Sequence, residues 1–114
     1  MRLRELTAEE RSIIKECLDC VASGEVILND WEFQTLFGIT FCQLQGVASA
    51  WPVVDDSDEV TFLAINNSLN NLLGYPHGAE DKWKKYISAS PAVVAQIFDR
   101  WRGSGVQNYF TGLR

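Results

Sequence analysis

The sequence predicts an all-α fold, a compact orthogonal bundle of five or six short helices. Three observations predict it. Helix-start signals recur along the chain, each followed by an apolar stripe at helical spacing and closed by Gly or Pro. The connections between these runs are tight, which disfavours a long parallel four-helix bundle. Six such signals in 114 residues leave little length for a sheet.

Each element follows from local chemistry. Thr7 and Glu10 form a T-x-x-E capping box, and Ile13, Ile14, Cys17, Leu18 and Val21 follow on one face. Gly24 stops that helix, expected near residues 8–23. Asn29 with Glu32 repeats the start signal for a short helix holding Trp31, Phe33, Leu36 and Phe37, closed by Gly38. Thr40 with Gln43 is a third box, and Pro52 ends the helix it opens. Asp55, Asp56, Ser57, Asp58 and Glu59 precede the next run, where carboxylates face the positive end of a helix dipole. That helix is expected over 58–73, with its stripe through Val60, Leu63, Ala64, Leu72 and Leu73. A turn at Tyr75-Pro76-His77-Gly78 leads to a short helix near 80–87. Ser90-Pro91 is an N-cap with Pro in the first helical position, and Gly103 is expected to close the last helix. Glu25–Leu28 is the one strand-like scrap before the tail.

One domain over residues 1–103 follows, with 104–114 a Gly-rich C-terminal tail, mobile or docking through Tyr109 and Phe110. The expected core holds Ile14, Leu18, Trp31, Phe37, Leu44, Val47, Leu63, Leu72, Trp83, Ile97 and Trp101. Three cysteines suit a reducing compartment rather than a disulfide framework. No apolar run is long enough to span a membrane and the N-terminus has no apolar signal core, so the expected location is cytoplasmic.

Charge is unevenly spread. The formal net charge is -5, yet residues 16–81 carry acids and no Lys or Arg, whereas 82–114 carry one acid, Asp99, among the bases. Such a block repels nucleic acid and anionic membranes and attracts a basic protein. Glu32, Asp55, Asp56, Asp58 and Glu59 are the expected contacts for that partner. Helix capping and solvation are the plainer account of the same acids. The basic 82–102 segment meeting the acidic middle of a second copy would give a homodimer.

The second constellation is amide-rich. Asn66, Asn67, Asn70 and Asn71 occupy one helix although Asn competes with the backbone for hydrogen bonds. Asn67 and Asn71 lie almost in line with the apolar stripe, so at least one amide should be partly buried and tied to a neighbouring turn, at Trp31 or Tyr75. The alternative is a ligand-binding or enzymatic pocket formed by Asn66, Asn67, Asn70, Asn71, Tyr75 and His77.

Other motifs fail on spacing. Cys17-x-x-Cys20 lies inside a helix, without the strand-to-helix junction of redox motifs, and no second pair joins Cys42 and His77 as zinc ligands. His77 has no spaced nucleophile partner. A calcium loop starting at Asp55 would need Gly where Val60 stands and Glu where Asn66 stands. Lys82-Trp83-Lys84-Lys85-Tyr86 and Arg100-Trp101-Arg102 read as core tryptophans with basic stems at the rim. No catalytic residue, metal or cofactor is assigned.

Two phrases occur together: Asp30-Trp31-Glu32-Phe33 with Leu36-Phe37-Gly38, and Asn66-Asn67-Ser68-Leu69-Asn70-Asn71-Leu72-Leu73-Gly74-Tyr75-Pro76-His77. With the ending Phe98-Asp99-Arg100-Trp101-Arg102, they resemble a group of small bacterial helical proteins of unassigned function, over roughly residues 7–102. The resemblance implies a bacterial, cytosolic, single helical domain and carries no catalytic residue. Small acidic bacterial proteins of this type include immunity proteins, which block a basic toxin.

Overall fold

A computed structural model describes residues 3–24, 30–74 and 80–111, with side chains described over 3–24, 33–74 and 83–102. Six α-helices occur among the described residues: α1 (Ala8–Ala22), α2 (Asp30–Phe37), α3 (Phe41–Ala50), α4 (Glu59–Gly74), α5 (Glu80–Tyr86) and α6 (Pro91–Thr111). A 3-10 turn at Leu3–Glu5 precedes them. The described residues contain no strand, and the protein is an all-α bundle.

The start signals work as local chemistry requires. Glu10 N donates to Thr7 Oγ1 at 3.0 Å while Thr7 N donates to Glu10 Oε1 at 2.9 Å. Thr40 and Gln43 make the same reciprocal pair at the head of α3. Val93 N donates to Ser90 Oγ at 3.3 Å, capping α6 with Pro91 in its first position. Gly24 and Gly38 close α1 and α2 with φ of 78° and 70°, a left-handed conformation that an L side chain would strain.

Helices α1 and α4 organise the body. Helix α1 packs against α3, α4, α5 and α6, and α4 packs against α1, α2, α3 and α6. Ile14, Cys17 and Leu18 of α1 and Ile65 and Leu69 of α4 belong to one core that also holds Phe33, Phe37, Leu44, Val94 and Trp101. Outside the helices, polar ties fix the frame. Ser88 donates through both N and Oγ to Glu16 Oε1 at 2.9 Å, pinning the α5–α6 connection to α1. Trp83 Nε1 donates to the Ala89 carbonyl at 2.9 Å across the same connection.

Three expectations need correction. The buried face of α4 runs through Thr61, Ala64, Ile65, Ser68, Leu69, Asn71 and Leu72, rotated from the expected stripe, so that Val60 and Leu63 are half-buried. Ser68 reads as polar in sequence, yet its small side chain is wholly enclosed where α4 packs. Trp83 is likewise half-buried. Helix α6 passes Gly103 and continues to Thr111, so the expected stop at Gly103 is not the end of the helix. The strand-like Glu25–Leu28, the start signal at Asn29 and the side chains of Trp31, Tyr109 and Phe110 lie outside the described residues.

Candidate functional site

The acids that sequence grouped together separate into three roles. Asp58 is the N-cap of α4. Its Oδ2 accepts from Thr61 N at 3.1 Å and Thr61 Oγ1 at 3.3 Å. Asp55 Oδ1 accepts from Ser57 N at 2.9 Å and Ser57 Oγ at 2.7 Å, a side-chain turn that shapes the approach to α4. Asp56 does something local pattern does not announce. Its Oδ2 accepts from Leu3 N and from Trp101 Nε1, both at 2.9 Å, joining the N-terminal turn, the α3–α4 connection and α6. The available signal was Trp101 itself, because a buried indole N–H requires an acceptor.

Asp55, Asp58 and Glu59 are exposed and lie together where α4 begins. Glu59 makes no hydrogen bond or ion pair among the described residues. Asp56 is half-buried and directed inward, so it belongs to the frame rather than to that surface. Glu32 is placed by α2, but its side chain lies outside the described residues.

A groove of about 420 Å³ runs beside these acids. Val47, Val53, Val54 and Val60 line it, with Gly46 on α3 and Asp55 and Asp58 at its edge. Val53 is 85% exposed, the most exposed large apolar side chain among the described residues. Sequence reading passed over Val53 and Val54; two β-branched apolar residues between Pro52 and an acidic run were the available signal.

Three of the four amides are engaged within the fold. Asn67 Nδ2 donates to the Phe37 carbonyl at 2.8 Å, tying α4 to the C-terminal end of α2. Asn71, 7% exposed, donates from Nδ2 to the Asn67 carbonyl at 2.7 Å. Asn66 Nδ2 donates to Asn67 Oδ1 at 3.0 Å, and Asn70 is exposed. A tie to a neighbouring turn forms, but at the Phe37 carbonyl rather than at Trp31 or Tyr75. Tyr75 and His77 lie outside the described residues. Replacing Asn67 by Ala should cost about 1–2 kcal/mol, because the buried end of α2 loses a donor, whereas Asn66→Ala should cost under about 0.5 kcal/mol. Urea unfolding followed by far-UV circular dichroism distinguishes the two.

The cysteines are split. Cys17 and Cys20 are buried and Cys42 is exposed, so they do not converge. Among the described residues no three His, Cys, Asp or Glu side chains are grouped as metal ligands. Burial pushes the Cys17 thiol far up from its ordinary 9.0, with the nearby Cys20 and Glu16 adding to the effect. Thiol-reactive dye should therefore label Cys42 in the native protein and all three cysteines only after denaturation. A folded value above the unfolded one contributes stability that is fully present below pH 9.0 and declines as pH rises above it. A Cys17→Ala variant should show a flatter alkaline decline.

The basic side chains are largely engaged. Arg100 pairs with Glu10 at 2.9 Å, and Lys15 pairs with Asp19 one turn along α1. Arg11 donates to the Leu6 carbonyl at 3.0 Å, and the Arg102 guanidinium lies 4.5 Å from the Phe98 ring centroid. Trp101 is a core anchor, as its spacing implied. No helix among the described residues is long and apolar enough to cross a membrane. No protein-family model, curated protein or solved structure matches the chain.

Proposed function

We propose that the chain is a non-enzymatic protein-binding domain that presents an acidic surface to a basic partner, in the manner of an immunity protein or antitoxin in a bacterial cytosol. The observation that carries this reading is the exposed corner of Asp55, Asp58 and Glu59, set in a stretch, residues 16–81, that has no Lys or Arg. Two of these acids hold local structure, but a capping carboxylate keeps its charge, and clustered like charges raise the encounter rate with a basic surface. The pocket alternative around the Asn-rich helix has less behind it, because the Asn66, Asn67 and Asn71 amides are spent within the fold.

The test is a charge-neutral corner, Asp55→Asn with Asp58→Asn and Glu59→Gln. Asn serves as well as Asp at an N-cap, so stability should change by less than about 1 kcal/mol. Immobilised wild-type protein should retain a basic protein from host lysate at low salt and release it as salt rises. The variant should lose that protein and keep the rest of the retained set. Identical sets would overturn the reading. Its antitoxin form stands or falls on whether the retained protein harms the host when expressed without this chain.

A further inference from the structure

We propose that the groove between α3 and the start of α4 seats a partner segment in which aliphatic side chains alternate with Lys or Arg. The inference rests on the acidic-surface reading above and specifies where that surface grips and what chemistry it takes.

The groove is built for two kinds of contact at once. Val47, Val53, Val54 and Val60 give it apolar surface, with Gln43 and Thr61 also in its lining, around a volume of about 420 Å³. That volume falls in the range of clefts that hold several side chains, roughly 300–1,000 Å³. Val53, 85% exposed, leaves water on apolar surface that a partner would displace. A Cβ built on Gly46 meets nothing within 4 Å, so the groove is open above α3. Asp55 and Asp58 then supply negative charge at one edge. An occupant with aliphatic groups alone would desolvate the exposed Asp58 carboxylate without adding a positive charge, and one with bases alone would leave the valines wet.

Charge also argues against other occupants. Phosphate-bearing ligands meet repulsion from the acidic edge. A second copy of the chain would have to supply the bases, and those of its described helices are mostly engaged at home. Arg100 is paired with Glu10, Lys15 with Asp19, and Arg102 lies over Phe98, while Lys84 and Lys85 are exposed on the short α5. A separate basic chain is the better complement.

The test titrates the ¹⁵N-labelled full chain with three short synthetic peptides, alternating Lys and Val, Lys and Gly, and Glu and Val. The Lys–Val peptide should bind about tenfold more tightly than the Lys–Gly peptide, the gain expected from burying one aliphatic side chain. The Glu–Val peptide should not bind. Amide shifts should concentrate at Gly46, Val47, Val53, Val54 and Val60. Gly46→Leu, which extends a side chain into open space, should abolish the Lys–Val advantage and leave Lys–Gly binding unchanged. Val53→Asn, at a position too exposed to disturb packing, should reduce the same advantage and covers the case in which Gly46→Leu fails to fold. Equal binding of the Lys–Val and Lys–Gly peptides, or indifference to both groove variants, overturns the groove while leaving the acidic surface standing, provided the charge-neutral corner still weakens binding. No binding of either basic peptide at low salt overturns both proposals. Concentration-dependent shifts at the same amides without peptide would assign the groove to a second copy and overturn this inference.

Discussion

Replacing Phe37 by Ala should destabilise the protein by about 3–5 kcal/mol, the range for truncating a fully buried aromatic ring. Phe37 is wholly buried at the C-terminal end of α2. Its ring stacks on Phe33 with centroids 4.1 Å apart and planes 10° apart, and Phe41 meets Phe33 edge-on at 5.2 Å. The same residue offers its carbonyl to Asn67, and Gly38 follows it in a left-handed turn. The chain there is held from two sides, so collapse into the vacated volume is restricted and the cavity cost is retained. With total stability of typical domains at about 5–15 kcal/mol, the variant should lose a large fraction of its stability. Val53→Ala, on the exposed rim, should cost under about 0.5 kcal/mol. Urea unfolding by circular dichroism provides both numbers. A Phe37→Ala cost below about 1.5 kcal/mol would mean that α2 is not docked on α4 as described.

Asp56→Ala should cost about 2–3 kcal/mol, more than any other acid in the 55–59 cluster. It removes the acceptor of two hydrogen bonds and strands the indole N–H of Trp101, which is only 2% exposed. Asp56→Asn keeps one side-chain oxygen and should cost roughly half as much. A double-mutant cycle with Trp101→Phe isolates the contact, and a coupling of about 1 kcal/mol or more is expected. Strict additivity would show that the indole finds another acceptor. The contrast with Asp55→Asn/Asp58→Asn/Glu59→Gln is informative, because those changes should alter binding and leave stability nearly unchanged.

The elements were legible because their signals are local. A capping box needs two residues three apart, and both Thr7/Glu10 and Thr40/Gln43 are present as that spacing implies. Ser90-Pro91 and the glycines at 24 and 38 depend equally on their own backbone. The stop at Gly103 was misjudged for a related reason. A glycine costs a helix only about 1 kcal/mol relative to Ala, and Ile97, Phe98 and Trp101 dock the preceding turns firmly enough to offset that cost. Rotation of the α4 stripe follows the same logic. Two faces of α4 fit helical periodicity, and the packing of α1, α2, α3 and α6 selected the one containing Ile65 and Leu69.

The candidate site was half legible. Composition alone located the acidic stretch, since the absence of Lys and Arg over 16–81 requires no coordinates. Which acids stay exposed was not readable, because Asp56 and its neighbours differ only in what reaches them from residues 3 and 101. The groove was hidden for the same reason: Gly46 and Val53 come to line one groove only through the turn between α3 and α4.

By itself the sequence determined an all-α chain, the starts of its capped helices and the sign of its middle segment, since each depends on residue identity over a few neighbouring positions. Tertiary structure decided the rest: the face α4 buries, the carboxylate that binds Trp101, the carbonyl that receives Asn67 and the groove beside Asp58. Each of those requires groups distant along the chain to meet, and close packing and the pairing of buried polar groups select one such meeting among many that local preference allows.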